Sequence, residues 1–268
     1  MTSSFSTDQE QQEHNTPMGG AKREISLLAN NDKVVSGLDY LLTHFEDGFH
    51  FPRNISTKLT NGGQRCVFSK EAAMFSYKRA NFMDCRISAY PNQKFRRHIK
   101  QSPDFLFIDI DDHGSNNEQI LKRTLENIKV KFENNDIEPT VLWSGSGGYH
   151  IYLPVDAVAL EEESLFEDIE VYDPSRRFMQ WAEQYLSNNK ADPCHSKGVS
   201  FNNCMLRVPG SINSKNSKEV KIIQGWNGVK PSIKPLLYEF YIHVADAKLM
   251  EIQGIRIKEP TSTKRVYA

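Results

Sequence analysis

No apolar run in the 268-residue chain approaches the ~20 residues needed to cross a bilayer, so a membrane protein is not expected. The N-terminus is polar instead of charged and then apolar, which argues against export and for the cytoplasm. Cysteines number four (Cys66, Cys85, Cys194 and Cys204) and form no C-x-x-C pair, so reduced thiols are expected, not a disulfide framework. Zinc held by Cys194, His195 and Cys204 would lack an evident fourth ligand and is not expected. No glycine-rich turn is followed by Gly-Lys-[Ser/Thr], which excludes a Walker phosphate loop. Internal repeats are absent. What remains is a water-soluble composition, 38% hydrophobic with a mean hydropathy of −0.56, long enough for one large domain or two small ones.

The chain also has little net charge, −1 overall, but that average hides segregation. Nine Lys/Arg lie between Arg65 and Lys100, against Glu71 and Asp84. Seven lie between Ser196 and Lys234, against Glu219 alone. From Asp156 to Asp173 there are eight acids and no base. Any one block could be ordinary solvated surface. Two basic blocks around an acidic site favour a polyanionic substrate.

Residues 1–22 and 258–268 are polar and expected to be disordered. Val34, Val35, Leu38, Leu41, Leu42 and Phe45 follow helical spacing after Asn31-Asp32. Residues 65–90 read as strands around a turn or helix. Phe105 to Asp111 reads as a buried strand, and Ser115-Asn-Asn-Glu118 starts a helix with Ile120, Leu121, Leu125, Ile128 and Phe132 as its stripe. Pro139 opens a strand over 140–143, and a Gly-rich turn leads into another over 149–154. Asp173-Pro174 caps a helix whose inner face is Phe178, Trp181, Ala182, Tyr185 and Leu186. Strands at 205–208 and 220–224 and a helix within 235–252 complete an α+β protein, with helices stacked on an antiparallel or mixed sheet.

The chemistry concentrates in three blocks. Along the 105–111 strand, alternation places Asp109 and Asp111 on one face and Asp112 on the other. Two adjacent carboxylates repel unless a cation lies between them, and oxygen donors suit Mg²⁺ or Mn²⁺. Metal-assisted phosphoryl or nucleotidyl transfer follows as the plainest reading; two acids ending a strand turn is the alternative. In Ser144-Gly-Ser-Gly-Gly-Tyr-His150, three glycines allow a tight turn whose N–H groups, with Ser144 and His150, can face an anion. A Gly-rich hairpin with an incidental histidine explains that turn equally well. The third block runs from Asp192 through Arg207, Pro209, Ser211 and Asn213 to Lys215, offering another carboxylate and a cationic clamp, or else a capping acid and surface residues.

In this order the blocks resemble the catalytic core of the archaeo-eukaryotic primase family. Its D-x-D is matched at Asp109 and Asp111. Its S-G-x-R/K-G-x-H is matched at Ser144, Gly145, Gly148 and His150, with Gly147 standing where the family has a base. Its third motif, an acid and then R-x-P-x-S-(L/V/I)-H/N-x-K, corresponds to Asp192, Arg207, Pro209, Ser211, Asn213 and Lys215. Arg86-Ile-Ser-Ala-Tyr90 is similar to the arginine-bearing strand ahead of D-x-D, and no cysteine-rich insertion follows that strand. The match covers about 105–224, under half of the chain.

The resemblance implies an RRM-like catalytic sheet at about 101–257 joined to a smaller α/β module at about 23–100, with the site between them. It implies that Asp109, Asp111 and Asp192 are catalytic and hold two Mg²⁺ or Mn²⁺ ions. Ser144, Gly147, Gly148, His150, Arg207, Ser211 and Lys215 would bind nucleotide, with Arg79 and Arg86 supplying the cations that Gly147 does not. The implied activity is DNA primase or primase-polymerase, taking NTP or dNTP, single-stranded template and primer, with a helicase or regulatory primase subunit as a further partner. An end-joining or gap-filling polymerase that only extends is the first alternative. A non-catalytic nucleic-acid-binding module is an alternative of another class, and a metal-dependent nuclease a weaker third.

Overall fold

The computed structural model describes residues 19–45, 50–95, 102–111, 116–156 and 171–253. The described elements run α1 (Gly19–Leu42), β1 (Arg53–Ser56), β2 (Arg65–Val67), α2 (Lys70–Arg79), β3 (Arg86–Pro91), β4 (Phe105–Ile110), α3 (Asn117–Lys131), β5 (Thr140–Trp143), β6 (Tyr149–Pro154), α4 (Pro174–Leu186), α5 (Pro193–Gly198), β7 (Met205–Arg207), β8 (Ile212–Asn213), β9 (Lys218–Glu219), β10 (Lys221–Gln224) and α6 (Lys234–Ile252). Asp112, Ser115, residues 1–18, most of the 156–173 acidic block and the 258–268 tail lie outside the described residues. No described helix is long and apolar enough to cross a membrane.

Strand alternation decides the layering. Along β4, Phe105 and Phe107 enter one core while Leu106, Ile108 and Ile110 enter another. β6 does the same, with Tyr152 on the first side and Ile151 and Leu153 on the second. The second core packs α3, α4 and α6 on one face of an antiparallel sheet of order β10-β5-β6-β4. The first core lies between that sheet's other face and a second antiparallel sheet of order β2-β1-β3-β7, with α1 and α2 contributing. The fold is therefore α+β with antiparallel sheets. The sheet built on β1, β2 and β3 takes its fourth strand, β7, from beyond residue 200.

Helix α1 begins at Gly19, inside the 1–22 segment expected to be disordered. The residues there, Ala21, Lys22, Arg23 and Glu24, are good helix formers despite their polarity. Further along, Val34, Leu38, Leu41 and Leu42 are buried in the first core. Tyr40 Oη and His44 Nε2 both bond Thr140 Oγ1, at 2.6 and 2.7 Å, tying the helix to β5.

Gly37 marks a crossing too tight for any side chain. A Cβ there would lie 2.1 Å from the Pro209 carbonyl oxygen, a backbone atom that cannot swing away. Gly37→Ala gains about 1 kcal/mol of helix propensity in principle. The clash reverses the sign, and we expect a net loss of roughly 1–3 kcal/mol. Urea denaturation measures it; a more stable variant would show that α1 does not pack on the 209–210 turn.

Candidate active site

β4 is the edge strand of its sheet, so among the described residues the outward side of its backbone has no strand partner. At Asp109 those groups are satisfied from elsewhere. Its N–H donates to Glu183 Oε1 at 2.9 Å, and its carbonyl accepts the Asp192 N–H at 2.8 Å. The second bond sets the third-motif acid beside the first-motif acid. Asp192 is held in turn as the N-cap of α5, its carboxylate accepting the Cys194 N–H at 2.8 Å.

With its outward groups used this way, Asp109 faces His150 as a non-hydrogen-bonded cross-strand pair, the kind in which side chains approach most closely. His150 Nε2 lies 3.5 Å from Asp109 Oδ1, too far for a good hydrogen bond, and Oδ1 is buried without a hydrogen-bond partner. Burial raises the Asp109 pKa from the ordinary carboxylate value to about 7. His195 opposes the shift, while Glu183, Asp192 and Asp111 reinforce it. Burial works against the His195 charge, yet its Nδ1 sits 2.8 Å from Glu183 Oε1, and Glu183, Asp109 and Asp192 together lift its pKa above the usual imidazole value. His150 goes the other way: burial first, then Arg207, Arg86 and His195, hold it neutral.

The opposite wall comes from the other sheet. Arg86 on β3 and Arg207 on β7 are direct cross-strand partners. The Arg207 N–H donates to Tyr152 Oη at 2.8 Å instead of to β3, so this too is a close, non-hydrogen-bonded pair. Two guanidinium groups side by side repel unless an anion lies between them. Burial and then Arg207 depress the Arg86 pKa accordingly. Asp84 relieves part of the repulsion at 3.3 Å from Arg207 Nη1, but Arg207 Nε remains buried and unpartnered. Arg86, Arg207, Lys215, Lys58, Asp84 and His195 line one cavity of ≈460 Å³. An anion-seeking cavity thus adjoins an acid cluster, with His195 belonging to both.

The Gly-rich turn is built against the end of β4. Ser144 N–H donates to the Gly148 carbonyl at 2.9 Å, and Gly145 and Gly147 take positive φ of 83° and 105°. A Cβ on Gly148 would meet the Ile110 carbonyl oxygen at 2.8 Å and Asp111 Cβ at 3.4 Å, so the turn presses on Asp111. Asn213 Nδ2 donates to the Ser144 carbonyl at 2.8 Å, and the Asn216 side chain donates to the Gly145 carbonyl. The third-motif asparagine is a clamp on the second-motif turn.

The structure gathers Asp109, Asp192, Asp111 and the Ser144–Gly148 turn at one end of β4, and Arg86, Arg207 and Lys215 on the cavity. His150 lies buried under Asp109. Ser211 is fully buried and its hydroxyl donates to the Val208 carbonyl at 2.6 Å, shaping a turn away from the cavity lining. Arg79 is exposed at the end of α2, its guanidinium 6.0 Å over the Phe75 ring, and does not line the cavity. Among the described residues, no three His, Cys, Asp or Glu side chains meet as a preformed metal-ligand group. The acids supply hard oxygen donors, and the orphaned Asp109 Oδ1 and its raised pKa are a strain that a divalent cation would relieve. The donors fit such an ion; a closed ligand shell is not formed.

Sequence reasoning missed Glu183, Asp84 and Tyr152. Glu183 had a legible signal: it lies four residues after Met179 and three before Leu186, both buried, so helical spacing places a charge on an apolar face. No family model matches the chain, and no curated protein matches it. Solved structures are similar to it at low identity. The catalytic domain of primase RepB′ in complex with initiator DNA has a TM-score of 0.47 and 14% identity over 84% of this chain and 100% of that one. Primase RepB′ itself has a TM-score of 0.49 and 13% identity over 82% of this chain and 66% of that one. The archaeo-eukaryotic primase (AEP) domain of the cyanophage S-2L primase-polymerase has a TM-score of 0.49 and 12% identity over 77% of this chain and 96% of that one. In fold, the chain is similar to primase and primase-polymerase catalytic domains.

Proposed function

We propose that the chain is a nucleotidyltransferase of the primase or primase-polymerase type, adding NTP or dNTP to a 3′-hydroxyl on a single-stranded DNA template to start or extend primers. One observation carries this reading. Acids from two distant motifs share a backbone hydrogen bond at Asp109 and Asp192, beside a cavity lined by Arg86, Arg207 and Lys215. A nuclease has no need of a triphosphate clamp, whereas a triphosphate substrate calls for both halves. The three motifs, resembling archaeo-eukaryotic primases, support the same assignment.

Asp109, Asp111 and Asp192 would hold Mg²⁺ or Mn²⁺, which when bound activates the 3′-hydroxyl and neutralises charge on the departing pyrophosphate. Arg86 and Arg207 take the triphosphate between them, exchanging mutual repulsion for attraction, and Lys215 adds a third positive charge. Ser144 and the Gly147-Gly148 amides, fixed by Asn213, present donors next to Asp111. Neutral His150 packs against Asp109 and limits water there, while Glu183 and His195 position the Asp109 backbone.

The test is incubation with single-stranded DNA, Mg²⁺ or Mn²⁺ and labelled nucleotides, with and without a primer. Product in both arms identifies a primase; product only with primer identifies an extending polymerase, the first alternative. No product in either arm leaves the non-catalytic binding module. Arg86→Gln relieves the cross-strand repulsion, so it should fold at least as stably while raising the nucleotide KM by roughly tenfold to a hundredfold, as loss of one charge-assisted contact implies. An unchanged KM would remove Arg86 from the triphosphate site.

A further inference from the structure

We propose that the amide pair Gln64–Asn203 is the sugar-contacting wall of the Arg86–Arg207 cavity, and that the site therefore prefers ribonucleoside to deoxyribonucleoside triphosphates. The inference rests on the proposed function, which it narrows from NTP or dNTP to NTP. The cavity floor is one face of the sheet built on β1, β2 and β3. Ser56 pairs with Arg86, and Arg86 with Arg207, so the three stand in one cross-strand row, roughly 10 Å long at ordinary strand spacing. Their neighbours Ile55, Ile87 and Leu206 enter the first core, which leaves the row to the cavity. Past Ser56 comes Gln64, just before β2, whose Arg65 faces Ile55. The lining thus changes from guanidinium to hydroxyl to amide, with Asn203 and the Met205 thioether beside it. Lys58 and Lys215 add positive charge, and Asp84, the one acid among the described lining residues, pairs with Arg207. A ligand with an anionic end and a neutral, hydroxyl-bearing end fits this lining; phosphates alone leave the amides unused.

The two amides are held in place by a chain of hydrogen bonds. The Lys94 N–H donates to Asn92 Oδ1 at 3.0 Å, and Asn92 Nδ2 to Asn54 Oδ1 at 2.6 Å. Asn54 Nδ2 donates to Gln64 Oε1 at 2.9 Å, and Gln64 Nε2 to Asn203 Oδ1 at 3.0 Å. Asn203 Nδ2 then donates to the Gly198 carbonyl at 3.0 Å. The chain starts on a backbone donor and ends on a backbone acceptor, so the direction of every amide in it is fixed. Turning one over would set donor against donor and acceptor against acceptor. Each amide nitrogen carries two hydrogens and uses one in the chain, which leaves Gln64 and Asn203 one N–H donor each. Gly198 is the last residue of α5, the helix capped by Asp192, so the chain also ties this wall to the acid cluster.

Such donors suit hydroxyl oxygens. A templated enzyme takes four bases in turn, and a wall that recognised the base would oppose the template. The sugar is what all four nucleotides share. Excluding a 2′-hydroxyl calls for bulk against C2′, and no Phe, Tyr or Trp is among the described residues lining the cavity. A site that hydrogen-bonds a hydroxyl discriminates against the analogue lacking it, because its own donor is then left unpaired. Gln64 and Asn203 are exposed, so water recovers part of that loss. The preference should be about tenfold, the net value of one hydrogen bond.

Isothermal titration calorimetry of the full chain with ATP, dATP and inorganic tripolyphosphate, in Mg²⁺ and without template, tests this for wild type, Gln64→Leu and Arg86→Gln. A thermal melt checks each fold. Wild type should bind ATP about tenfold more tightly than dATP, and dATP more tightly than tripolyphosphate. Gln64→Leu, close to glutamine in size but without its amide, should bring ATP and dATP within about twofold of each other. Arg86→Gln should weaken all three ligands and keep the ATP-to-dATP ratio near tenfold, about the wild-type value. A wild-type ratio near one, or a preference that survives Gln64→Leu, overturns the inference and leaves the triphosphate site standing. So does tripolyphosphate binding as tightly as ATP, which would make the cavity a site for phosphates alone. Binding of none of the three overturns the proposed function and the inference with it. A Gln64-dependent preference for ATP in a chain that incorporates no nucleotide keeps the sugar wall and removes the enzyme.

Discussion

Asp111→Ala should cut metal-dependent nucleotide incorporation by about a thousandfold or more, the several kcal/mol that a cation-held transition state is worth. The fold should survive it. Asp111 follows Ile110, the last residue of β4, and is only half-buried, outside both apolar cores. Gly148 packs against its Cβ, an atom that alanine keeps. Single-turnover extension of a labelled primer, alongside a thermal melt, checks both halves. Residual activity above about a tenth of wild type, with an intact melt, would remove Asp111 from the chemistry.

Asp109→Asn should do the opposite for stability. In the metal-free protein the Asp109 pKa stands near 7, above the ordinary carboxylate value it takes when unfolded. The folded state therefore binds the extra proton, so stability from this group is full below about pH 4 and is lost as pH rises through 7. By pH 8 wild type bears most of the cost of a buried charge among Glu183, Asp192 and Asp111. Asparagine removes that charge and should gain on the order of 2–4 kcal/mol at pH 8, almost nothing at pH 4, and no activity at either. Urea midpoints in EDTA from pH 4 to 8 read the difference. Parallel curves for the two proteins would mean that Asp109 is not in a repulsive cluster. Adding Mg²⁺ or Mn²⁺ should then raise the wild-type midpoint at pH 8 and leave Asp109→Asn unmoved.

How much of this the sequence revealed depends on whether the deciding interaction is local. Strands 140–143 and 149–154 lie between Pro139 and the glycine turn and between that turn and Pro154, and Asp173-Pro174 caps α4 as its residue types imply. Alternation through Phe105–Ile110 was enough to send Asp109 to the face between the sheets, because a period of two leaves no other choice. Pairing of β7 with β3 left no such trace. Its three residues look like any short strand, and their partner lies far back in the chain. Arg79 and Arg86 were offered together as cations, and the register that sets Arg86 against Arg207 separates them. Asn213 and Ser211 likewise sit in a motif whose chemistry suggested ligand contact, while their hydrogen bonds shape the turns that carry it. Charge inside an apolar helix face, as at Glu183, was readable, and it would have pointed to the histidine that shares it.

The late arrival of β7 has a consequence for how the molecule is made. During synthesis β1, β2 and β3 emerge early, but the β3 edge stays bare until Met205–Arg207 leaves the ribosome. The other sheet waits for Lys221–Gln224 to cover β5. Both layers are thus completed only by strands beyond residue 204, and no stalled product ending before Met205 carries a guanidinium opposite Arg86.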